Sequence, residues 1–324
     1  MRIIYFGSDD FGMPSLVELK KNHTIAAVVT APDRPKGRGL KVAGTPVKDW
    51  ALKNNIPVYQ PESLREKDFP CTLKSLNPDF IVLISYGKIL PLSILEIPCL
   101  AAVNVHPSLL PAYRGAAPME WALINGEKET GITVISMLCE TDTGCVIMQK
   151  KTEIGENEDI FSLKARLSGI APGMLVESLE KIAKGFKPEP QKGVPSLARK
   201  LIKKDGLIKW EKTAAQIHNL IRGTKEWPGA YTYFNGRYLK IFDAEVISSS
   251  LAGEGQGEEN RNKQMHGNPG EVVCADKNSI YASCGEGILK ITEVQLEGKK
   301  RMPVQEFLKG HRIKPGESFS RRGL

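Results

Sequence analysis

Short apolar runs alternate with amphipathic stretches through the first half of the chain. Arg2–Phe6 is β-branched and aromatic and predicts a first strand. Thr24–Thr30 predicts a second, and Pro57–Tyr59 a short edge strand. Asp79–Ser85, the most apolar run, predicts a central strand covered on both faces. Between them Met13–Lys21, Val47–Asn54 and a segment closing at Leu73–Asn77 read as helices, the first capped by Ser8 or Asp9. Leu100–Val105 predicts another buried strand, and Pro107 stops it because proline has no N–H for the ladder. A helix is expected over Met119–Asn125. A strand over Thr130–Leu138 then turns at Glu140–Gly144 into its partner, Val146–Lys151. Asp159–Lys184 reads as a long helical stretch broken or kinked at Pro172–Gly173. This alternation predicts an α/β domain built on a mostly parallel sheet.

The pattern changes after residue 186. Phe186–Lys204 holds Pro188, Pro190 and Pro195 among Lys187, Lys192, Arg199, Lys200, Lys203 and Lys204, and reads as an interdomain linker. Beyond it, helical spacing is confined to Thr213–Arg222. Short strands with glycine turns (231–233, 238–246, 271–274, 279–283, 288–296) predict a small barrel. Ser248–Asn268 is polar and of low complexity, a mobile loop inserted in that barrel. The expected partition is residues 1–186, a basic linker 187–205, a barrel 206–314 and a basic tail 315–324.

The formal charge of +8 favours a polyanionic partner, nucleic acid above all. It is concentrated where a ligand could use it. Arg34, Lys36, Arg38 and Lys41 lie in a proline- and glycine-rich loop after a strand's C-terminal end, suited to gripping phosphates. No run of apolar residues reaches the roughly 18 of a membrane span, and Asp9 and Asp10 interrupt the apolar start as no secretory leader would. Cys71, Cys99, Cys139, Cys145, Cys274 and Cys284 form no C-x-x-C pair. They read as free thiols in a reducing cytoplasm, and no metal site is expected. The glycines at Gly7 and Gly12 do not make a dinucleotide fingerprint.

The chemistry centres on residues 103–118. Asn104 and His106, two apart on one strand, face the same way at its C-terminal edge, where open α/β sheets bind ligands. Asn104 offers an uncharged N–H to a developing oxyanion. His106 can take or return a proton near neutral pH. Asp142, at another strand-end turn, could orient His106. Gly87, in Tyr86-Gly-Lys-Ile89, lets backbone approach a ligand at the same edge. Ser108 is the one candidate nucleophile, but its proline-rich loop offers no base, so direct transfer is expected over a covalent intermediate.

Asn104-Val-His-Pro-Ser-Leu-Leu-Pro-Ala-Tyr-Arg-Gly-Ala-Ala-Pro118, with Asp142-Thr-Gly downstream, resembles the signature of the 10-formyltetrahydrofolate-dependent formyltransferases. The resemblance implies a Rossmann-like domain, a linker and an OB-like barrel, with Asn104, His106 and Asp142 as the catalytic trio. It implies a folate site formed by Tyr86, Gly87, Lys88 and Ile89, by His106, Pro107, Ser108, Leu109, Leu110 and Pro111, and by Asp142. The donor would be 10-formyltetrahydrofolate.

Three further stretches resemble the branch that formylates initiator methionyl-tRNA: Pro32–Gly39, Trp210 with Ala214–Arg222 and Pro228–Thr232, and Gly298–Met302 with Glu306–Gly310. By that resemblance tRNA would be held by Arg34, Lys36, Arg38 and Lys41 and by Lys299, Lys300 and Arg301; by the charge of the linker, also by Arg199, Lys200, Lys203 and Lys204. Cys145 departs from the family, which often carries an acid there. A monomer without membrane attachment is expected. Transfer to a nucleotide-linked amino sugar, or folate or RNA binding without turnover, are the competing readings.

Overall fold

The computed structural model describes residues 1–36, 41–66, 68–247 and 267–320. The chain forms two compact units. The first comprises residues 1–118, 129–153 and 162–199, the second 119–128, 154–161 and 200 onward.

The strands up to residue 200 are β1 (Arg2–Gly7), β2 (Thr24–Val29), β3 (Arg34–Lys36), β4 (Lys41–Ala43), β5 (Val58–Tyr59), β6 (Phe80–Ile84), β7 (Ala101–His106), β8 (Arg114–Gly115), β9 (Glu129–Ser136), β10 (Val146–Glu153) and β11 (Leu197–Ala198). The helices are α1 (Met13–Asn22), α2 (Pro46–Lys53), α3 (Phe69–Ser75), α4 (Leu92–Leu95), α5 (Pro118–Asn125) and α6 (Ile160–Ala183). The main sheet runs β10-β9-β7-β6-β1-β2-β5. It is parallel from β7 to β5, while β9 and β10 are antiparallel. The most apolar strand, β6, is the fourth of the seven. Both faces of β1 are covered, since Ile3, Ile4, Tyr5 and Phe6 are all fully buried. That burial is what a parallel sheet flanked by helices requires.

Two local expectations fail here. α6 continues through Pro172, so the break expected as one alternative there is absent. A proline inside a helix costs about 3 kcal/mol. Leu163, Leu167, Ala171, Met174, Leu175 and Leu179 form one buried face at helical spacing, and each buried leucine contributes about 1.5–3 kcal/mol. Packing therefore outweighs the lost backbone bond. The expected linker is also not free chain over its first part. Residues 187–199 belong to the first unit: Glu189 exchanges backbone hydrogen bonds with Val146 at 2.6 and 3.0 Å, and β11 pairs with β8.

The second unit holds α7 (Ala214–Thr224), β12 (Ala230–Phe234), β13 (Arg237–Ile247), β14 (Val272–Ala275), β15 (Ile280–Ser283), β16 (Ile288–Leu296), β17 (Met302–Pro303), α8 (Val304–Gly310) and β18 (Phe319–Ser320). Thr213 and Gln216 make a capping box that starts α7. The sheet runs β14-β15-β16-β13-β12-β18. Backbone bonds from Val272 to Glu317 and from Phe319 to Gly270 join its two ends, curling it into the expected OB-like barrel. α8 contradicts the expectation that helix is confined to residues 213–222. With only Val304 and Phe307 buried, it is too short to show a period. The insertion expected at 248–268 lies, up to residue 266, outside the described residues. Among the described residues no helix is long and apolar enough to cross a membrane.

Candidate active site

β7 lies between β6 and β9, with Asn104 opposite Leu83 on one side and Ile135 on the other. Val103 and Val105 are buried on the opposite face, so strand alternation delivers Asn104 and His106 together to the C-terminal edge. Both are buried, at 7% and 4% exposure. Each therefore needs polar partners.

Those partners converge on Asp142. Its Oδ1 accepts from Asn104 Nδ2 at 3.1 Å, and its Oδ2 accepts from the Gly115 N–H at 2.8 Å. Oδ2 also faces His106 Nδ1 at 3.5 Å. His106 Nε2 lies 2.9 Å from Tyr113 O. Both ring nitrogens thus face oxygens, which fixes the orientation of the ring. The sequence signals for these three residues lie 38 positions apart, and the fold brings them into one buried cluster.

The loop holding Asp142 is itself tightly determined. Asp142 has φ of +55°. A Cβ on Gly144 would sit 1.6 Å from Ser136 O, so no other residue fits. Gln191 donates from Nε2 to Asp142 O at 2.7 Å and to Gly144 O at 2.8 Å. Its Oε1 accepts from Arg114 Nη2 at 2.5 Å and Nε at 3.2 Å. Gln191 lies in the proline-rich stretch that resembles a linker and Arg114 in the loop after β7; neither carries a local signal for this bond. Cys145 contributes through its backbone, its carbonyl accepting from Ser136 N at 2.9 Å.

The segment from Pro107 to Pro111 is pinned from below. Thr133 Oγ1 donates to Ser108 O at 2.7 Å and accepts from Leu110 N at 3.1 Å. Gln149 reaches Leu110 O and Thr133 Oγ1. Ser108 Oγ donates to Ala112 O at 2.6 Å, which occupies the hydroxyl in holding the turn. Leu109 is half-buried and Leu110 and Pro111 are buried.

After β6, Gly87 takes φ of +82° with open space around it. Tyr86 is buried edge-on against Phe6, and its hydroxyl has no hydrogen-bond partner among the described residues. Burial pushes that phenol up to about 12. Lys88 is turned onto the chain at residues 61–62, donating to Pro61 O and Glu62 O. Ile89 is 70% exposed. An orphaned phenol, open backbone and an exposed apolar side chain suit a planar, polar-edged ligand.

The basic residues are dispersed over both units. Arg34 is exposed at the start of β3; Lys36 and Lys41 pair through their backbones in the β3–β4 hairpin. Arg38 lies outside the described residues. Arg199 is exposed in the first unit, and Lys200, Lys203 and Lys204 in the second. Lys299 and Lys300 are exposed. Arg301 differs: it is ion-paired with Glu293 and lies 4.4 Å from the Phe242 ring centroid. Among the described residues no cluster of three or more His, Cys, Asp or Glu side chains could hold a metal ion.

A Rossmann-like sheet with this buried trio, joined to a barrel, defines a class of two-domain group-transfer enzymes. Family models confirm the class. That described as "Formyl transferase" matches residues 1–179, and "Formyl transferase, C-terminal domain" matches residues 200–312. The chain is 44% identical over 312 residues to the methionyl-tRNA formyltransferase of Pelotomaculum thermopropionicum, covering 96% of each. It is 43% identical over 322 residues to that of Caldanaerobacter subterraneus, covering 98% of this chain and 99% of the relative. The chain belongs to the methionyl-tRNA formyltransferase family.

Solved structures share the fold at lower identity. Methionyl-tRNA formyltransferase from Clostridium thermocellum has a TM-score of 0.55 at 18% identity, covering 77% of this chain and 95% of that one. HypX from Aquifex aeolicus in complex with tetrahydrofolic acid has a TM-score of 0.63 at 18% identity, covering 98% of this chain. The chain spans about half the length of that protein.

Proposed function

We propose that the protein transfers the formyl group of 10-formyltetrahydrofolate to the α-amino group of methionine on initiator methionyl-tRNA, acting as a cytoplasmic monomer. The observation that carries the reading is the convergence of Asn104, His106 and Asp142 at one strand edge in a chain of this family. The attacking amine must be neutral. A free α-amino group titrates near about 7.7–8.0 and its esterified form lower, so a usable fraction exists at neutral pH. The new bond joins the methionyl nitrogen to the formyl carbon, and the bond from that carbon to folate N10 breaks. One proton passes from the attacking to the departing nitrogen. Asn104 uses one amide N–H on Asp142 and has a second for the tetrahedral oxyanion. His106 relays the proton, and Asp142 fixes its ring and balances its charge.

Folate would be held by Tyr86 to Ile89, by His106 to Pro111 and by the Asp142 loop. Initiator tRNA would be held by Arg34, Lys36, Arg38 and Lys41 and by the cations at 199–204 and 299–301. The test is a formyl-transfer assay with purified protein, 10-formyltetrahydrofolate and charged initiator tRNA, with an amino-sugar nucleotide as parallel acceptor. Formyl-methionyl-tRNA is the expected product. Transfer to the sugar alone would overturn the choice of substrate, and transfer to neither would overturn the enzyme reading.

A further inference from the structure

The second unit contains a cleft of about 630 Å3 with a mixed aromatic and cationic lining that the proposed chemistry does not use. Its aromatic wall is built, not incidental. Tyr238 stacks on Tyr231 at 4.8 Å and meets Tyr233 edge-on at 5.8 Å, so its ring is held in place by two neighbouring rings. Burial pushes its phenol up to about 12, which keeps it neutral. Trp227, the largest side chain of the lining, is left 49% exposed.

The cations are placed as deliberately. Lys203 Nζ lies 5.4 Å from the Tyr238 ring centroid. Lys240 threads past Gly229, where a Cβ would come within 3.1 Å of its Nζ, and donates to Pro228 O at 2.8 Å. Burial and then the charge of Lys203 lower the Lys240 pKa. Neither ammonium is ion-paired among the described residues. Two like charges therefore line one cleft with Trp227, whose side chain is the exposed aromatic surface there. Gln295, whose Nε2 donates to Lys299 O at 2.9 Å, and Glu297 complete the lining, leaving the Gln295 amide oxygen and the Glu297 carboxylate as acceptors for donors on a base edge.

An anion joined to a flat π-system satisfies this lining, and a nucleotide is both. We infer that the cleft takes one unstacked nucleobase of the RNA substrate, with its flanking phosphate between Lys203 and Lys240. A base inside a duplex cannot present its face, so the nucleotide comes from a loop or single-stranded stretch. The inference rests on the tRNA reading above and adds a defined contact to it.

The test uses the full-length protein. Trp227→Ala should raise the KM for initiator tRNA about 5- to 100-fold, the range of one lost base–aromatic stack, with kcat within threefold. Trp227→Phe should recover most of that loss. Lys203→Gln should reduce the slope of log affinity against log salt by about 0.7–1, one phosphate contact. Wild-type KM and slope in both Trp227→Ala and Lys203→Gln would overturn the inference while leaving the formylation reading intact. If the wild type formylates no tRNA, that reading falls separately. The cleft is then decided by tRNA quenching of protein fluorescence: a component present in wild type and missing from Trp227→Phe upholds it, and identical quenching overturns it.

Discussion

Asn104 donates to Asp142 at 3.1 Å, which ties the end of a central strand to the loop 38 residues on. The bond makes the two residues one device: the carboxylate orients the amide, and the amide helps hold the carboxylate beside His106. Asn104→Ala should lower kcat by about 10²–10³-fold, the usual effect of losing one oxyanion donor. Folate binding should be kept. Asp142→Asn should fall at least as far, because one of its two accepting oxygens becomes an NH2 donor, so that either Asn104 or the Gly115 N–H loses its acceptor. The double variant should be little worse than the worse single one, since neighbours in one network are not additive. Turnover near wild type in either single variant would remove that residue from the mechanism.

Gln191 should matter although it touches no proposed reacting atom. Its amide spans from Arg114 to the carbonyls of Asp142 and Gly144, joining the two loops that frame His106. Gln191→Ala loses both ties, and kcat should fall about tenfold or more with little change in the KM for tRNA. Gln191→Glu keeps the acceptor for Arg114 but sets a carboxylate against two carbonyls. It should be worse than alanine. Steady-state kinetics of the pair decides this, and a glutamate variant more active than the alanine one would refute the positioning role.

These residues show what can be read along a chain. Asn104 and His106 were legible because a period of two and a stop at Pro107 place them on one edge, using only neighbours. Asp142 was legible as a turn residue able to orient His106, and its place in a catalytic trio came from resemblance. The tie from Gln191 was not legible, for it lies 77 positions from Arg114 and 49 from Asp142, in a proline-rich stretch that resembles a linker. The long helix through Pro172 misled for the opposite reason. The local rule was sound, but a buried face of leucines decided the outcome. Charge was legible as a total, and pairing was not: Arg301 looks like Lys299 and Lys300 until Glu293 is seen beside it.

That pairing gives the three basic residues different expected phenotypes. Lys299→Ala and Lys300→Ala should each reduce the salt slope of tRNA binding by up to about 1, with stability unchanged. Arg301→Ala should change the slope less, because the guanidinium is already paired with Glu293 and lies over Phe242. An exposed ion pair and a surface cation–π contact together contribute about 1 kcal/mol, so its Tm should drop by a few degrees. Thermal melts and salt titrations of the three variants check the order. A larger slope change for Arg301→Ala than for either lysine would refute it.

His218 makes the second unit sensitive to acid. It sits on α7 against Arg222 and Lys225, which disfavour its charge, and Asp243 and Glu156, which favour it. Burial first, and the Arg222 charge second, hold its pKa below the ordinary 6.5. A histidine with a depressed folded pKa is neutral in both states above 6.5. As pH falls below 6.5 the unfolded chain takes up the proton first, so stability is lost from 6.5 down to the folded value and is constant below it. His218→Gln should remove that part of the pH dependence. Urea midpoints of wild type and variant, measured from pH 7.5 to 5, should converge as pH falls if the variant is the less stable at pH 7.5. If the variant is the more stable there, they should diverge. A constant difference across the range would show that His218 takes up its proton equally in both states.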